Sequence, residues 1–303
     1  MREGFRLWLE DYLMKLRTVF LTSLLLLAAL GCAKTTGANS GVTSSTQTGA
    51  PAAAAQPDLA AHFKPFPAGA FVLYDLKRDR YVRHDEARCR ERFSPFSTFK
   101  IPNTLIGLDT GATPDAEFVI KWDERKYPAF DRDTLPFSAW WQEQTLRTAF
   151  RRSVVWYYRE LALRVGERRM KEYVDKLDYG NEDASGPLNG FWLGSTLKIS
   201  ADEQVEFLKR LYKGELPVSK RSIQTLKEIM TLEETPEHKL SGKTGGGPLG
   251  EGRYLGWFVG YLETKDNTYL FATEIEGPTY LSVRDERIAV TRRILAGLGH
   301  LKQ

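Results

Sequence analysis

Residues 254–262 read YLGWFVGYL, and residues 269–275, beyond a short polar connection at Asp266 and Asn267, read YLFATEI. Segments so rich in aromatic and β-branched residues, joined by turn-forming residues, predict two strands of an antiparallel hairpin. Near the other end of the folded chain, residues 70–76 read AFVLYDL and predict another strand. The sequence therefore predicts a sheet that is completed by both ends of the chain.

The middle of the chain predicts helices. Ser200 and Glu203 form a capping box at the start of a helix that extends to about Tyr212. Further helices are predicted over residues 96–108, 146–150, 154–165, 168–177, 219–230 and 284–298. The fold class is α+β, an antiparallel sheet flanked by helices with a helical subdomain in the middle. A cleft between sheet and subdomain is the expected place for chemistry.

Residues 1–31 predict a signal peptide and not a part of the fold. Residues 19–30 (VFLTSLLLLAAL) are apolar but shorter than the roughly 20 residues of a spanning helix. Lys15 and Arg17 precede them, as in a secretory signal. The acidic residues near the N-terminus do not fit a basic leader, which leads to the hypothesis that translation begins at Met14.

Residues 29–32 read ALGC and resemble a bacterial lipobox, in which the cysteine becomes the acylated N-terminus. We therefore predict lipidation at Cys32, export, and anchoring on the periplasmic face of a bacterial membrane. The alternative is a plain signal peptide that is cut nearby and leaves Cys32 free. Residues 32–57 are rich in Ala, Gly, Ser and Thr without apolar periodicity, which predicts a flexible tether before a catalytic domain over residues 58–303.

Composition argues against several functional classes. The net charge of +4 is small and evenly spread, so no nucleic-acid partner is expected. The two cysteines, Cys32 and Cys89, do not form a disulfide framework. The four histidines lack the spacing of zinc ligands, so we expect no metal.

Residues 97–100 read STFK and form the first candidate catalytic element. A serine hydroxyl is a weak nucleophile and needs a base within hydrogen-bond reach. Positions i and i+3 share one face of a helix, so Ser97 and Lys100 meet if this segment is helical. The same spacing recurs at Ser195 and Lys198, where an extended chain would turn the two side chains to opposite faces. Ser97 is therefore the candidate nucleophile.

Lys243, Thr244 and Gly245 form a second element, just ahead of the strand predicted to start near Tyr254. A phosphate-binding loop is the alternative interpretation. That loop needs a glycine where this chain has Glu237, and it precedes a helix, whereas strands follow here. A lysine and a threonine at the edge of a strand suit a carboxylate-bearing substrate instead.

Residues 153–155 read SVV and complete an ordered set of Ser-x-x-Lys, Ser-x-Val and Lys-Thr-Gly. This set resembles that of serine β-lactamases and penicillin-binding proteins. Val155 stands where most of these proteins have asparagine, and valine is typical of class D (OXA-type) β-lactamases. Further similarity to class D extends from about Ala70 to the C-terminus and includes STFKIPN at 97–103, YGN at 179–181, FWL at 191–193, LKIS at 197–200 and GWFVG at 256–260.

The resemblance implies hydrolysis of the β-lactam amide through an acyl-enzyme on Ser97. It also implies that Lys100 captures carbon dioxide as a carbamate, which would be the general base. Among Phe99, Val155 and Trp192, the lysine would be desolvated, and its lowered pKa would leave a neutral, nucleophilic amine. The Trp192 indole N–H, a donor only, suits a carbamate oxygen, and Val155 keeps the pocket dry. No other cofactor is expected.

The resemblance also implies an oxyanion hole and a proton relay. The backbone N–H groups of Ser97 and Gly246 would form the oxyanion hole, and Ser153 would pass a proton to the departing lactam nitrogen. Gly246 stands where class D enzymes commonly have a larger residue, and Gly247 follows it. Because glycine is conformationally permissive, we expect a wider or more mobile strand here.

The substrate carboxylate is assigned by the same resemblance to Lys243, Thr244 and Gly245. Arg287, in the sequence RIAVT, matches the arginine that the family uses for the same group. A guanidinium fork is well shaped for a carboxylate. Arg284 is the alternative, since either arginine can lie on the last predicted helix.

Three alternatives to the β-lactamase interpretation stay open at this point. They are a penicillin-binding transpeptidase, a β-lactam sensor domain that is acylated without turnover, and a degenerate lipoprotein that uses the fold for interaction. Val155 and Trp192 favour the β-lactamase over the transpeptidase because both suit a carbamate. The expected partners are β-lactam antibiotics, with membrane contact only through the lipid anchor, in a monomer or homodimer.

Overall fold

The computed structural model describes residues 58–129 and 137–302. The predicted signal peptide, the lipobox with Cys32 and the tether over residues 32–57 lie outside these described residues. In the part of the chain that is described, no helix combines the length and the apolar character needed to cross a membrane.

The strands of the main sheet come from the two end regions of the described chain, and most helices and a small two-stranded sheet lie between them in sequence. The strands are β1 (Gly69–Asp75), β2 (Arg80–His84), β3 (Val119–Ile120), β4 (Gln144–Thr145), β5 (Thr231–Glu234), β6 (His238–Gly250), β7 (Arg253–Thr264) and β8 (Thr268–Gly277). The helices are α1 (Ala60–Phe63), α2 (Glu86–Cys89), α3 (Lys100–Asp109), α4 (Leu146–Arg151), α5 (Val155–Val165), α6 (Glu167–Lys176), α7 (Ala201–Lys213), α8 (Lys220–Met230), α9 (Tyr280–Arg284) and α10 (Glu286–Gly297), with 3-10 turns at Phe96–Phe99 and Phe137–Trp140.

The main sheet has the strand order β2-β1-β8-β7-β6-β5, and each neighbouring pair is antiparallel. Strand β1, from the start of the described chain, pairs with β8 from its end, with Leu73 opposite Phe271. The prediction of an α+β fold with an antiparallel sheet completed by both ends is confirmed. The pairing of distant segments places residues from the two ends of the chain beside each other.

The sheet is covered on both faces. In β1, Ala70 and Val72 pack into the core shared with the helices from the middle of the chain. Phe71 and Leu73 point the other way, into the core shared with α1 and α10. A strand buried on both faces is hydrophobic throughout, and for this reason residues 70–76 lack the alternation of a half-exposed strand.

The predicted capping box at the start of α7 is present. Ser200 Oγ accepts a hydrogen bond from the Glu203 backbone N–H at 3.2 Å, and Glu203 Oε2 accepts one from the Ser200 N–H at 2.8 Å. At the other end, Gly214 has a φ of 73° and terminates the helix. The local sequence thus determines both limits of this helix.

Two predicted elements differ from the structure. Strand β6 begins at His238, so Lys243, Thr244 and Gly245 lie inside a strand and not just ahead of one. Its glycines and Pro248 are residues that strand patterns disfavour, so the sequence does not predict this strand. Pairing with β7 and burial stabilise it. The predicted C-terminal helix is two helices, α9 and α10, which meet at Asp285.

Candidate active site

Ser97 and Lys100 are brought together by a change of helix type. The 3-10 turn Phe96–Phe99 passes directly into α3 at Lys100, and Lys100 Nζ donates a hydrogen bond to Ser97 Oγ at 2.8 Å. Pro102 is in the first turn of α3, where backbone N–H groups have no partner within the helix, and α3 continues through it. The i, i+3 spacing of the sequence therefore gives the contact that a serine nucleophile needs.

Lys100 is fully buried, with 0% of its surface exposed. Burial, with a smaller contribution from the positive charge of Arg159, lowers the pKa of Lys100 to about 7. Among the described residues no carboxylate pairs with its amine, and the ring of Tyr158 is 5.1 Å away. A substantial fraction of the amine, about half, is thus neutral near pH 7, and the neutral form is the one that can act as a nucleophile.

Trp192 is buried beside the residue that precedes this lysine. Its ring stacks on Phe99 with 5.2 Å between centroids, and its indole Nε1 has no hydrogen-bond partner among the described residues. A buried donor without a partner costs about 1–3 kcal/mol, so this N–H fits an acceptor oxygen that is added to the site. Val155, the first residue of α5, packs against the same core. These residues fit a carbamate on Lys100.

Ser153 lies at the turn between α4 and α5, with the left-handed φ of 57°. Lys243 Nζ donates to Ser153 Oγ at 3.0 Å and to the Thr244 carbonyl at 2.8 Å. Burial, followed by the charges of Lys100 and Arg287, lowers the pKa of Lys243 well below its usual value. The structure joins residue 153 of the helical part to residue 243 of the sheet.

Arg287, on α10, is 5% exposed, and its NH1 donates a hydrogen bond to the Gly245 carbonyl. Its Nε has no hydrogen-bond partner in the part of the chain that the structure describes. Arg284, the alternative from the sequence, is paired with Asp285 in an exposed ion pair. The structure therefore places Arg287, and not Arg284, against the strand that carries Lys243.

Strand β6 has an open edge beside these residues. β5 pairs with β6 only at residues 239–241, so that within the described chain the segment from Gly242 to Gly250 is paired with a strand on the β7 side alone. An edge of unpaired N–H and C=O groups can accept an extended ligand. Thr244 and Gly246 are only partly buried there, whereas Gly245 is buried.

Gly246 and Gly247 both belong to the paired part of β6. Gly246 lies opposite Gly256, and Gly247 lies opposite Leu255. A Cβ at Gly246 would be 2.7 Å from the Leu255 carbonyl oxygen and 2.8 Å from Arg287 NH1. These glycines are sites of close approach, and the expectation of a wider strand does not describe the structure at this point.

Ser94 supports the site and was not found by sequence reasoning. Its Oγ donates to the Trp192 carbonyl at 2.9 Å and accepts from the Gly194 N–H at 2.8 Å, while its own carbonyl accepts from Trp257 Nε1 at 3.0 Å. A serine before a proline reads only as a turn, so the sequence carries no signal for these long-range bonds.

A second supporting network lies behind the nucleophile. Gln204 Nε2 donates to Thr98 Oγ1 at 2.8 Å, and Tyr179 OH donates to Gln204 Oε1 at 3.3 Å. Asn181 Oδ1 accepts from the backbone N–H of Lys198 at 2.8 Å, which holds the second Ser-x-x-Lys segment in a non-helical conformation. The side chains of Tyr179 and Asn181 thus brace the loops around the site.

Comparison with known proteins gives a consistent family. The penicillin binding protein transpeptidase domain matches residues 68–296. The probable β-lactamase YbxI of Bacillus subtilis is 41% identical over 208 residues, which are 69% of this chain and 74% of that protein. The methicillin resistance mecR1 protein of Staphylococcus aureus is 39% identical over 219 residues, 72% of this chain but 36% of that protein.

A solved structure agrees with these relatives. The class D β-lactamase YbxI from Nostoc superposes with a TM-score of 0.73 at 37% identity, and the match covers 80% of this chain and 99% of that one. Fold, motif order and sequence identity over most of the length point the same way, and the chain belongs to the class D β-lactamase family.

Proposed function

We propose that this protein hydrolyses the amide bond of β-lactam antibiotics through an acyl-enzyme on Ser97 and thereby confers resistance. The observation that carries the proposal is the buried Lys100 amine, which lies 2.8 Å from Ser97 Oγ without a carboxylate partner among the described residues. A neutral amine beside a hydroxyl is the arrangement that activates a serine nucleophile. Family membership gives the β-lactam as the class of substrate.

The residues around the pair have distinct roles in the proposal. The backbone N–H groups of Ser97 and Gly246 stabilise the negative charge that develops on the lactam carbonyl oxygen. Lys243 polarises Ser153 through their 3.0 Å hydrogen bond, and Ser153 delivers a proton to the departing nitrogen. The acyl group then stays on Ser97 until water releases it.

The substrate carboxylate is held at the open edge of β6. Lys243 and Arg287 are buried basic residues, and Thr244, the residue after Lys243, offers a hydroxyl. The Gly245 carbonyl keeps Arg287 in place through its hydrogen bond to NH1. Bidentate pairing of a guanidinium with a carboxylate is a strong charge-assisted interaction.

Lys100, Val155 and Trp192 would hold a carbamate formed from carbon dioxide. When present, the carbamate supplies an anionic general base beside Ser97. Trp192 Nε1 contributes the donor, and Val155 and Phe99 exclude water. The low pKa of Lys100, about 7, favours the neutral amine that carbon dioxide requires.

The test is to purify the mature protein from cells that express the full chain and to follow hydrolysis of a chromogenic cephalosporin with and without bicarbonate. Many turnovers per protein, which increase with bicarbonate and vanish in Ser97→Ala, are expected. Expression of the active chain should also raise the antibiotic concentration that stops growth. A chain that neither hydrolyses nor becomes acylated contradicts the proposal.

A sensor is the second candidate, and its support is the similarity to the mecR1 protein. This chain spans about a third of that protein, 36% of its length. A sensor domain would be acylated once by the same serine and would keep the acyl group. Stoichiometric acylation, seen as a stable mass increase without turnover, would favour this candidate over the hydrolase.

A further inference from the structure

Phe96, the residue before the nucleophile, has an unusual backbone conformation. Its φ is 47°, in the left-handed region that a bulky side chain rarely adopts. Such a conformation costs on the order of 1–3 kcal/mol and persists only where the surrounding structure enforces it. The residue is 4% exposed, so its ring is held within the protein.

The ring of Phe96 lies directly on Gly247 of β6. A Cβ at Gly247 would be 2.6 Å from Phe96 Cδ1 and 2.8 Å from Cζ, closer than real Cβ atoms come to a ring. On another side, a Cβ at Gly194, in the loop after Trp192, would be 3.7 Å from Phe96 Cε1. The ring therefore fills the space between the strand and this loop, and residue 247 must lack a side chain.

Gly245, two residues earlier on the same face of β6, lies equally close to the backbone around Phe96. A Cβ there would be 2.7 Å from the Pro95 carbonyl oxygen and 3.0 Å from the Thr98 backbone nitrogen. Alternate residues of a strand share a face, so Gly245 and Gly247 form a stripe without Cβ atoms. The segment from Pro95 to Thr98 packs on this stripe.

The proposed oxyanion hole uses one N–H group from each side of this contact. Ser97 follows Phe96, and Gly246 precedes Gly247. We propose that Phe96 is a positioning residue of the oxyanion hole, and that its ring on Gly247 sets the separation of the Ser97 and Gly246 amides. This inference rests on the proposed acylation of Ser97 but holds for a hydrolase and a sensor alike, since both form the acyl group.

Six variants test the contact. They are Phe96→Ala, Phe96→Gly, Gly247→Ala, the double variant of Phe96→Ala with Gly247→Ala, and, as the matched control, Gly246→Ala alone and combined with Phe96→Ala. The measurement is the rate of Ser97 acylation by a chromogenic cephalosporin, determined by rapid mixing and mass spectrometry over a range of concentrations. It gives the rate at saturation and the half-saturating concentration separately. Melting temperatures of all variants report stability.

We expect Gly247→Ala to lower the saturated acylation rate about tenfold or more, because its methyl group displaces the ring and small misplacements of oxyanion donors are costly. Adding Phe96→Ala removes the obstructing ring, so the double variant should be about as slow as Phe96→Ala alone, and the two losses should not multiply. Phe96→Ala alone should lower the saturated rate about tenfold with a half-saturating concentration within about twofold, since these donors act mainly in the transition state.

The control separates this contact from a general effect on the strand. A Cβ at Gly246 meets Leu255 and Arg287 but not Phe96, so adding Phe96→Ala to Gly246→Ala should lower the acylation rate about tenfold further. Phe96→Gly, which tolerates the left-handed φ without a ring, should be as slow as Phe96→Ala.

Three results overturn the inference while the proposed function stands. These are additive rate losses in the double variant, rates that simply follow the melting temperatures, and a fully active Phe96→Gly. If Gly247→Ala does not fold, Phe96→Ala alone tests the inference. A lower saturated rate with a nearly unchanged half-saturating concentration supports it, and an unchanged saturated rate overturns it. A wild-type chain that is never acylated overturns the proposed function together with this inference.

Discussion

Lys100 and Lys243 occupy one buried site but have different partners. Lys243 Nζ donates to Ser153 Oγ and to the Thr244 carbonyl, whereas Lys100 Nζ donates to the Ser97 hydroxyl. Burial lowers the pKa of Lys243, and the positive charge of Lys100 nearby lowers it further. Burial thus makes a reactive amine from a residue type that is ordinarily a solvated cation.

The first prediction concerns carbon dioxide on Lys100. With ¹³C-labelled bicarbonate, we expect one carbamate carbon signal that disappears in Lys100→Ala. At a fixed concentration of dissolved carbon dioxide, the signal should decrease as the pH falls through about 7, because acid protonates the amine whose pKa is about 7. Lys198→Ala, in the second Ser-x-x-Lys segment, should keep the signal. A signal that survives Lys100→Ala contradicts the assignment.

The second prediction concerns the unpaired indole N–H of Trp192. Trp192→Phe should raise the bicarbonate concentration for half-maximal carbamate signal about tenfold or more, because a hydrogen bond to a charged group contributes about 1.5–3 kcal/mol. Trp156→Phe is the control, since Trp156 is also buried but its N–H already donates to the Trp140 carbonyl at 2.8 Å. Equal bicarbonate dependence in both variants would exclude the role of Trp192.

At the scale of elements, the sheet carries a buried ion cluster that joins β8 to α2. Arg88, on α2, donates to both carboxylate oxygens of Glu274 and to Glu276 on β8. Burial raises the pKa of the Glu274 carboxyl to about 7, although Arg88 opposes the shift. Glu274 lies opposite Trp257, whose N–H supports Ser94, so this cluster lies beneath the loop that carries the nucleophile.

The third prediction follows from this cluster. Arg88→Met should lower the free energy of unfolding by about 3–5 kcal/mol near pH 8, because the buried Glu274 loses its arginine and Glu276 keeps only the half-exposed Arg253. The loss should be smaller near pH 5, because the pKa of the Glu274 carboxyl lies above its unfolded value. The stability that its protonated form allows is therefore present at low pH and is lost as the pH rises. Chemical denaturation at the two pH values measures this.

Arg253→Met is the matched control for this prediction. Arg253 also pairs with Glu276, at 3.2 Å, but its side chain is 52% exposed. Exposed pairs contribute about 0–1 kcal/mol, so this variant should change stability little at either pH. Equal losses in the two variants would contradict the special role of Arg88.

At the scale of the whole molecule, two cores on opposite faces of one sheet hold the site in place. Ser97 and Lys100 come from the core with the middle helices, and Arg287 comes from α10 in the other core. Strand β6 lies between them and carries Lys243 and Gly245. The site therefore depends on the sheet as a common frame, since no single segment contains its parts.

The fourth prediction concerns the membrane anchor that the sequence indicates. Cells fed a labelled fatty acid should incorporate label into the full chain and not into Cys32→Ser, which should leave the membrane fraction. Cys89→Ser should keep the label, because Cys89 is the other cysteine of the sequence and is buried at 0% exposure. Label in the Cys32→Ser chain would exclude the lipobox interpretation.

The sequence by itself determined the elements whose signal is local. The capping box at Ser200 and the strands around residues 254–262 and 269–275 follow from side chains that are neighbours in the chain. The pair Ser97 and Lys100 was predictable for the same reason, since helical spacing alone brings them within 2.8 Å.

Only the tertiary structure decided what depends on segments far apart in sequence. Four features each require a partner from elsewhere in the chain. They are the length of β6, the placement of Arg287 and not Arg284 at the site, the hydrogen bonds of Ser94 to the loop of Trp192, and the contact of Phe96 with Gly247. From the sequence, Gly247 indicates only backbone flexibility. In the folded chain its missing side chain leaves room for the ring of Phe96. Long-range packing sets that difference, and local patterns do not encode it.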